Sequence, residues 1–183
     1  MEYAEELKPL DTEEIKAAAE AVRGCIDNVF LHWSAGRYGQ VYDDYHISID
    51  WDGRIYAPSN NLNLLKHRNH TWMRNTRTIG IAICGCYDAV ANGGEDCEFG
   101  SEGPTTAQIE ALALVVAILC KYARISFRDV YTHCEIAVID GYGPGSGDPQ
   151  TKWDLWYLPD FDDVMKPGGE VIRGKAIWYA DRV

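Results

Sequence analysis

The residues best suited to chemistry are two histidines that each follow a short apolar run. His32 follows residues 29–31 and His133 follows residues 130–132, so both stand at the downstream ends of predicted strands. A rigid α/β sheet aims the side chains at its strand ends into one cleft. Two imidazoles and one further ligand make a zinc site whose fourth position stays open for water. The spacing suggests such a centre but leaves open the commoner alternative of two hydrogen-bonded core histidines.

Three residues could supply the third ligand. Asp148 lies in the turn "GSGDP", where Pro149 restrains the backbone of the residue before it. Asp140 is a rival by spacing alone. Cys134 is a weaker rival, because it adjoins His133 in a strand-like stretch and would face the opposite side of the sheet. The residues by themselves do not choose between the two aspartates.

Apolar periodicity predicts the elements that must position these residues. Asp11 and Thr12 open a helix that ends at Gly24, and Thr105 or Thr106 caps the clearest helix of the chain. Strands are predicted in residues 25–33, 77–87 and 129–137, a hairpin in 45–57 and a surface loop in 88–104. The order predicts one α/β domain over 1–183, with 1–24 as an N-terminal helix, a core of about 25–160 and a C-terminal extension over 161–183. The tail of that extension reads as a closing strand or an appended segment.

Charge and composition exclude several classes of function. The net charge is -11 and the sequence pI is near 4.8, so the chain has no basic surface for nucleic acid. No apolar run reaches the roughly 20 residues of a membrane span, and the acidic N-terminus lacks the features of a secretory signal. We therefore expect a monomer that is cytoplasmic at synthesis, with its six cysteines mostly reduced.

Five stretches, in consistent order from about Val29 to Trp156, resemble the type 2 N-acetylmuramoyl-L-alanine amidases. This family shares its fold with the peptidoglycan recognition proteins and the amidase-type phage lysozymes. The stretches are "FLHWSAG", "DYHISIDWDGRIY", "HTWMRNTRTIGIAICG", "TTAQIEALALVVAILCKY" and "YTHCEIA". One such motif would be a weak signal, whereas five in order are specific. The resemblance implies a central mixed β-sheet flanked by helices and an enzyme that cleaves the bond between N-acetylmuramic acid and L-alanine.

Carried over residue by residue, the resemblance implies a Zn²⁺ site formed by His32, His133 and Asp148. Asp148 fits because the family's third ligand is a Cys or an Asp directly before Pro, whereas Asp140 precedes Gly. Tyr45 falls on the family's catalytic tyrosine. His70 and Asn75 fall where relatives line the peptide groove.

The chain also departs from the family pattern. The stretch between His32 and Tyr45 is shorter than in most relatives, and the loop from His133 to Asp148 is longer. The lysine that some phage members place before the third ligand is absent, and Lys152 is the residue that could reach back to replace it. A cleaved signal is not evident, which favours a phage or prophage endolysin acting on the cell wall. The alternatives are a cytosolic amidase that recycles soluble muropeptides and a module that binds peptidoglycan without cutting it.

Overall fold

A five-stranded mixed sheet forms the centre of the protein. The computed structural model describes residues 1–93, 96–142, 154–160 and 164–183. Its strands are β2 (Asn28–Trp33), β4 (Ile47–Ile49), β5 (Ile55–Tyr56), β6 (Thr78–Ile83) and β9 (Val130–Thr132). Their order in the sheet is β5-β4-β6-β2-β9. Strands β4, β6, β2 and β9 run parallel, and β5 is antiparallel to β4. The predicted α/β class with a mixed sheet is confirmed.

Shorter strands form two-stranded sheets outside the centre. They are β1 (Glu2–Tyr3) with β3 (Gln40–Val41), β7 (Val90–Gly93) with β8 (Asp96–Glu98), and β10 (Tyr157–Pro159) with β11 (Met165–Pro167). The predicted surface loop over 88–104 contains the strand pair β7–β8. The predicted β4–β5 hairpin is present, and Gly53 at its turn has a φ of 83°, which glycine adopts without strain.

The four helices are α1 (Thr12–Ala21), α2 (Thr106–Ala123), α3 (His133–Ile139) and α4 (Gly168–Ala180). Capping boxes open α1, α2 and α3, with Asp11, Thr105 and Thr132 as the N-caps. Helix α2 packs against α1, α4 and strands β4 and β6. By length and composition alone α2 could cross a membrane, and 61% of it is buried inside the protein.

The two faces of the sheet have different characters because side chains alternate along a strand. On β2, Val29, Leu31 and Trp33 join the large apolar cluster that includes α1, α2 and α4. Phe30 and His32 point to the opposite face, which carries the polar residues described below. Every residue of β6 is buried, as the near-continuous apolar run predicts.

Gln108 ties the start of α2 to the central sheet. Its side-chain amide donates hydrogen bonds to the carbonyl oxygens of Ile49 (3.1 Å) and Cys84 (2.6 Å), at the ends of β4 and β6. Its Oε1 also accepts from the backbone N–H of Thr105 at 3.0 Å. The glutamine of the Thr-X-X-Gln motif therefore closes the capping box and satisfies two buried carbonyls.

The structure refines two predictions, one about the end of a strand and one about the C-terminal tail. The predicted strand over 129–137 ends at Thr132, because the capping box turns the chain into α3 and makes His133 its first residue. The tail, for which the sequence left a closing strand or an appended segment open, forms β11 and α4. It adds no strand to the central sheet in the described residues, and α4 packs against α2 and β9.

Candidate metal centre

Two histidines and one aspartate converge on the polar face of the sheet. The ligand atoms of His32, His133 and Asp154 all lie within 4.8 Å of one another. His32 Nδ1 is 2.9 Å from Asp154 Oδ2, and His133 Nδ1 is 3.0 Å from Asp154 Oδ1. All three residues are buried. The two histidines that the sequence singled out are therefore brought together, with Asp154 between them.

Strand register explains why the histidines meet although they lie far apart in the chain. In the parallel pair of β2 and β9, Leu31 is opposite Thr132. The residue that follows each of these two positions is a histidine, so His32 and His133 lie at the same edge of the sheet. The Thr132 hydroxyl then accepts from the backbone N–H of Glu135 at 3.2 Å, which starts α3 at His133.

The charge state of the cluster suits a cation. Burial opposes ionisation of the Asp154 carboxyl, but attraction to His133 and hydrogen bonds to both histidines outweigh it and lower its pKa to about 2. Burial lowers the pKa of His32 and keeps its imidazole neutral. The cluster thus combines a carboxylate with a neutral imidazole, and these are the protonation states in which the two groups bind metal.

The donor set fits zinc. Two imidazole nitrogens and one carboxylate oxygen form a three-ligand set of the kind that catalytic zinc sites use, with a fourth position left for water or substrate. Asp154 Oδ1 is buried and lies 3.0 Å from His133 Nδ1. A buried carboxylate is costly unless a cation or a proton compensates its charge.

Tyr45 flanks the cluster. Its ring centroid lies 5.2 Å from that of His32, at an interplanar angle of 42°. Burial raises the pKa of its phenol, and the nearby Asp154 charge raises it further, so the hydroxyl stays protonated. Tyr45 is therefore a neutral phenol beside the candidate metal ligands.

Two aromatic side chains form a wall next to His133. The Tyr142 ring lies 6.4 Å from His133, and Trp72 packs edge-on against Tyr142 at 5.9 Å. Trp72 is 69% exposed and its neighbour Met73 is 80% exposed. This exposed apolar surface lies close to the buried cluster, where it is open to contact from outside the protein.

His70 and Asn75 occupy the loop before β6. His70 is buried, and its imidazole lies on the sheet over Gly80, where a side-chain Cβ would overlap the ring. Burial lowers the pKa of His70 to about 2. Asn75 Oδ1 accepts hydrogen bonds from the backbone N–H groups of His70 (3.1 Å) and Thr71 (2.8 Å). Both residues thus shape the loop beneath the cluster, and their contact with substrate stays a prediction.

Asp148 and Lys152 lie outside the described residues, so their predicted roles stay predictions. Among the described residues the rival Asp140 is not part of the cluster, and it pairs with Arg74, with 2.9 Å between Arg74 Nε and Asp140 Oδ2. Cys134 is buried in α3 and does not belong to the candidate cluster of His32, His133 and Asp154 among the described residues.

Sequence reasoning missed Asp154 and Thr71. The available signal for Asp154 was a single carboxylate between Trp153 and Leu155, since an acidic residue in such an apolar setting is buried only when it is paired. Thr71 had no comparable signal, because a threonine in a polar loop is ordinary. Its hydroxyl lies 3.3 Å from His32 Nε2.

One family profile spans the residues of this cluster. The sequence profile of the family described as N-acetylmuramoyl-L-alanine amidase matches residues 10–154, which include His32, His133 and Asp154. The solved structure of the endolysin N-acetylmuramoyl-L-alanine amidase LysCS from Clostridium intestinale URNW is similar at 20% identity and a TM-score of 0.44, over 61% of this chain and 71% of that chain. Curated proteins yield no match. Since the profile spans most of the chain, the protein belongs to the N-acetylmuramoyl-L-alanine amidase family.

Proposed function

We propose that this protein is a zinc-dependent amidase that hydrolyses the bond between N-acetylmuramic acid and L-alanine of peptidoglycan. The observation that carries the proposal is the buried cluster of His32, His133 and Asp154, in a chain of the amidase family. We assign His32 Nδ1, His133 Nδ1 and a carboxylate oxygen of Asp154 as the zinc ligands. Asp148 remains the alternative third ligand that the Asp-Pro motif favours.

Zinc bound there would polarise the scissile carbonyl and activate a water molecule for attack. The protein itself orients the ligand side chains, because they are buried and neighbouring groups hold their rotamers. Negative charge develops on the carbonyl oxygen during attack and needs a hydrogen-bond donor. The Tyr45 hydroxyl is suited to this role, since it is neutral and its ring lies beside that of His32.

The wall of Trp72 and Tyr142 would hold the part of the substrate that flanks the scissile bond. The apolar face of a sugar ring or a stem-peptide side chain can pack on such rings. His70, Asn75 and Lys152 remain candidate substrate-binding residues from the family resemblance.

We further propose that the natural substrate is polymeric peptidoglycan and that the protein acts as a phage or prophage endolysin. Purified protein would be incubated with intact sacculi and with soluble muropeptides, each with and without a zinc chelator. Release of free L-alanine amino groups from sacculi, abolished by chelator and restored by Zn²⁺, is the expected result. Cleavage of soluble muropeptides alone would indicate a recycling amidase. Sacculus binding without cleavage would indicate a recognition module and overturn the catalytic proposal.

A further inference from the structure

We propose that a cavity beside the β4–β5 hairpin binds a protonated primary amine on an apolar chain, as in the lysine side chain of a peptide. The cavity shares no residue with the candidate metal cluster, so the inference goes beyond the proposed amidase function. Its basis is a set of four aromatic rings around a buried carboxylate that has one oxygen open to a ligand.

Three segments that are distant in sequence build this cavity, which has a volume of about 390 Å³. Strand β1 pairs with β3, and the Ala4 N–H donates to the Gly39 carbonyl oxygen at 2.8 Å. This pairing holds the N-terminal segment against the loop that carries Tyr38. The turn of the hairpin, which carries Trp51, lines the cavity as well. The cavity is therefore formed by backbone segments that are hydrogen-bonded in place before any ligand binds.

Four aromatic side chains line the cavity: Tyr3, Tyr38, Trp51 and Tyr56. The rings of Tyr38 and Trp51 lie 6.4 Å apart at an interplanar angle of 37°. Tyr3 and Trp51 are 47% and 53% exposed, whereas Tyr56 is buried. The face of an aromatic ring attracts an ammonium group that lies within about 6 Å of its centroid. The same rings can pack against an alkyl chain, so they suit a cation on an apolar stem.

Asp50 supplies the polar contact. The residue is only 6% exposed, and its Oδ1 accepts from the Gly39 N–H at 2.7 Å. Its Oδ2 has no hydrogen-bond partner in the parts of the chain that the structure describes, and it is not sealed from solvent. Because Asp50 lines the cavity, Oδ2 is an acceptor that a ligand inside can reach. A buried carboxylate is costly without a donor or a cation, and an ammonium group supplies both.

The charge of the lining favours a cation. The carboxylates of Glu5, Asp50 and Asp52 line the cavity together with one guanidinium, that of Arg54. Arg54 Nε is 2.8 Å from Asp52 Oδ2, which leaves two carboxylates without an ion pair among the described residues. An anion would be repelled by them, and a neutral sugar would leave their charge uncompensated.

The position of the cavity separates it from the metal centre. Ala82 of β6 is opposite both His32 of β2 and Ser48 of β4, and Asp50 follows directly after β4. Two strand spacings, about 10 Å, therefore lie between the strand that carries His32 and the strand that leads to Asp50. Binding of an amine can thus be measured without zinc and without hydrolysis.

The test compares three probes on the full-length, metal-free protein. They are Nα-acetyl-lysine amide, its Nε-trimethyl derivative and Nα-acetyl-norleucine amide, which has the alkyl chain without the ammonium group. The Gly39 amide and the Trp51 indole N–H report binding in ¹H–¹⁵N titrations. The lysine probe is expected to bind roughly 10–100-fold more tightly than the norleucine probe, the usual effect of a hydrogen bond between charged groups. The trimethyl probe is expected to bind more weakly than lysine, because it has no N–H to donate to Asp50 Oδ2.

Two substitutions assign the contacts. Asp50→Asn keeps an oxygen for the Gly39 N–H but removes the charge, and it is expected to weaken the lysine probe roughly 10–100-fold. Trp51→Leu is expected to weaken it about 2–30-fold, the range of a cation–π contact. Asp181→Asn, at an exposed aspartate, and Trp178→Leu, at a tryptophan that is 55% exposed, are the matched controls and should bind as wild type.

Each outcome decides the proposal. Equal binding of the lysine and norleucine probes to wild-type protein overturns the cation site, and this comparison needs no variant to fold. Tighter binding of the trimethyl probe overturns the assignment to a primary amine. Unchanged affinity in a folded Asp50→Asn protein overturns the role of Asp50. None of these measurements uses zinc, so failure of the amidase proposal would leave the result intact, and the reverse holds as well.

Discussion

His32 Nδ1 lies 2.9 Å from Asp154 Oδ2, although 122 positions separate the two residues. Both side chains are almost fully buried, with exposed fractions of 1% and 4%. Burying a carboxylate and an imidazole together costs free energy, because both groups lose hydration. The arrangement places the negative charge of Asp154 where a bound metal ion would neutralise it.

Replacing Asp154 tests which carboxylate completes the metal centre. Asp154→Ala removes the charge that faces both histidines, so we expect zinc binding to be lost and hydrolysis with it. Asp148→Ala is the matched substitution six positions earlier, and we expect it to retain zinc. Metal content after dialysis, measured by elemental analysis, checks both variants. If Asp148→Ala lost zinc while Asp154→Ala kept it, the ligand would be the aspartate of the Asp-Pro motif.

Tyr45→Phe separates catalysis from metal binding. The substitution removes one hydroxyl and keeps the ring against His32. We expect kcat to fall about 10²–10³-fold, the usual effect of losing a hydrogen-bond donor to a developing oxyanion, with zinc content and thermal stability unchanged. Steady-state kinetics on a defined muropeptide provide the measurement. Unchanged turnover would assign Tyr45 to packing alone.

His46 makes stability depend on pH. Its Nε2 donates to the Lys66 carbonyl at 2.8 Å, and its Nδ1 accepts from the Gly80 N–H at 3.0 Å. Burial lowers its pKa from 6.5 to about 4. The unfolded chain therefore binds a proton more readily, and the stabilisation is complete above about pH 6.5 and is lost as pH falls toward 4. The shift corresponds to roughly 3 kcal/mol.

Urea unfolding of metal-free protein between about pH 4 and 8 measures this effect. His46→Gln is expected to lower the free energy of unfolding and to weaken its dependence on pH below about pH 6.5. His67→Gln, at an exposed histidine, serves as the control and should leave the slope close to wild type. A His46→Gln curve parallel to the wild-type curve would show that other groups carry the acid dependence.

Arg173 connects the C-terminal helix to the helix that begins at His133. It forms two hydrogen bonds with the Glu135 carboxylate, at 2.8 and 2.9 Å, and donates to the Val130 carbonyl at 3.0 Å. Arg173→Met is expected to cost about 1–2 kcal/mol, less than a fully buried charged pair because the pair is partly exposed. The loss should appear in urea unfolding, and Arg128→Met at an exposed arginine is the control. Equal stability of the two variants would mean that α4 does not brace α3 through this contact.

Much of the site could be predicted from local sequence patterns. His32 and His133 follow apolar strands, and strand propensity with helix caps is encoded within a few residues. The Asp11 and Thr105 caps and the Asp-Gly turn at Gly53 are likewise local signals, and the structure contains each of them. The family resemblance then joined these separate signals into one proposed centre.

The contacts of Asp154 and Thr71 with His32 could not be predicted in this way, because they depend on how distant segments of the chain pack against the sheet. Asp154 and Thr71 reach His32 from 122 and 39 positions away. Their partners depend on the order of parallel strands and on the path of two loops, which local periodicity does not encode. The sequence by itself thus determined the two histidines and the elements that carry them. Tertiary structure alone decided which carboxylate and which hydroxyl meet them, because hydrogen bonds over 2.9–3.3 Å depend on the packing of the whole domain.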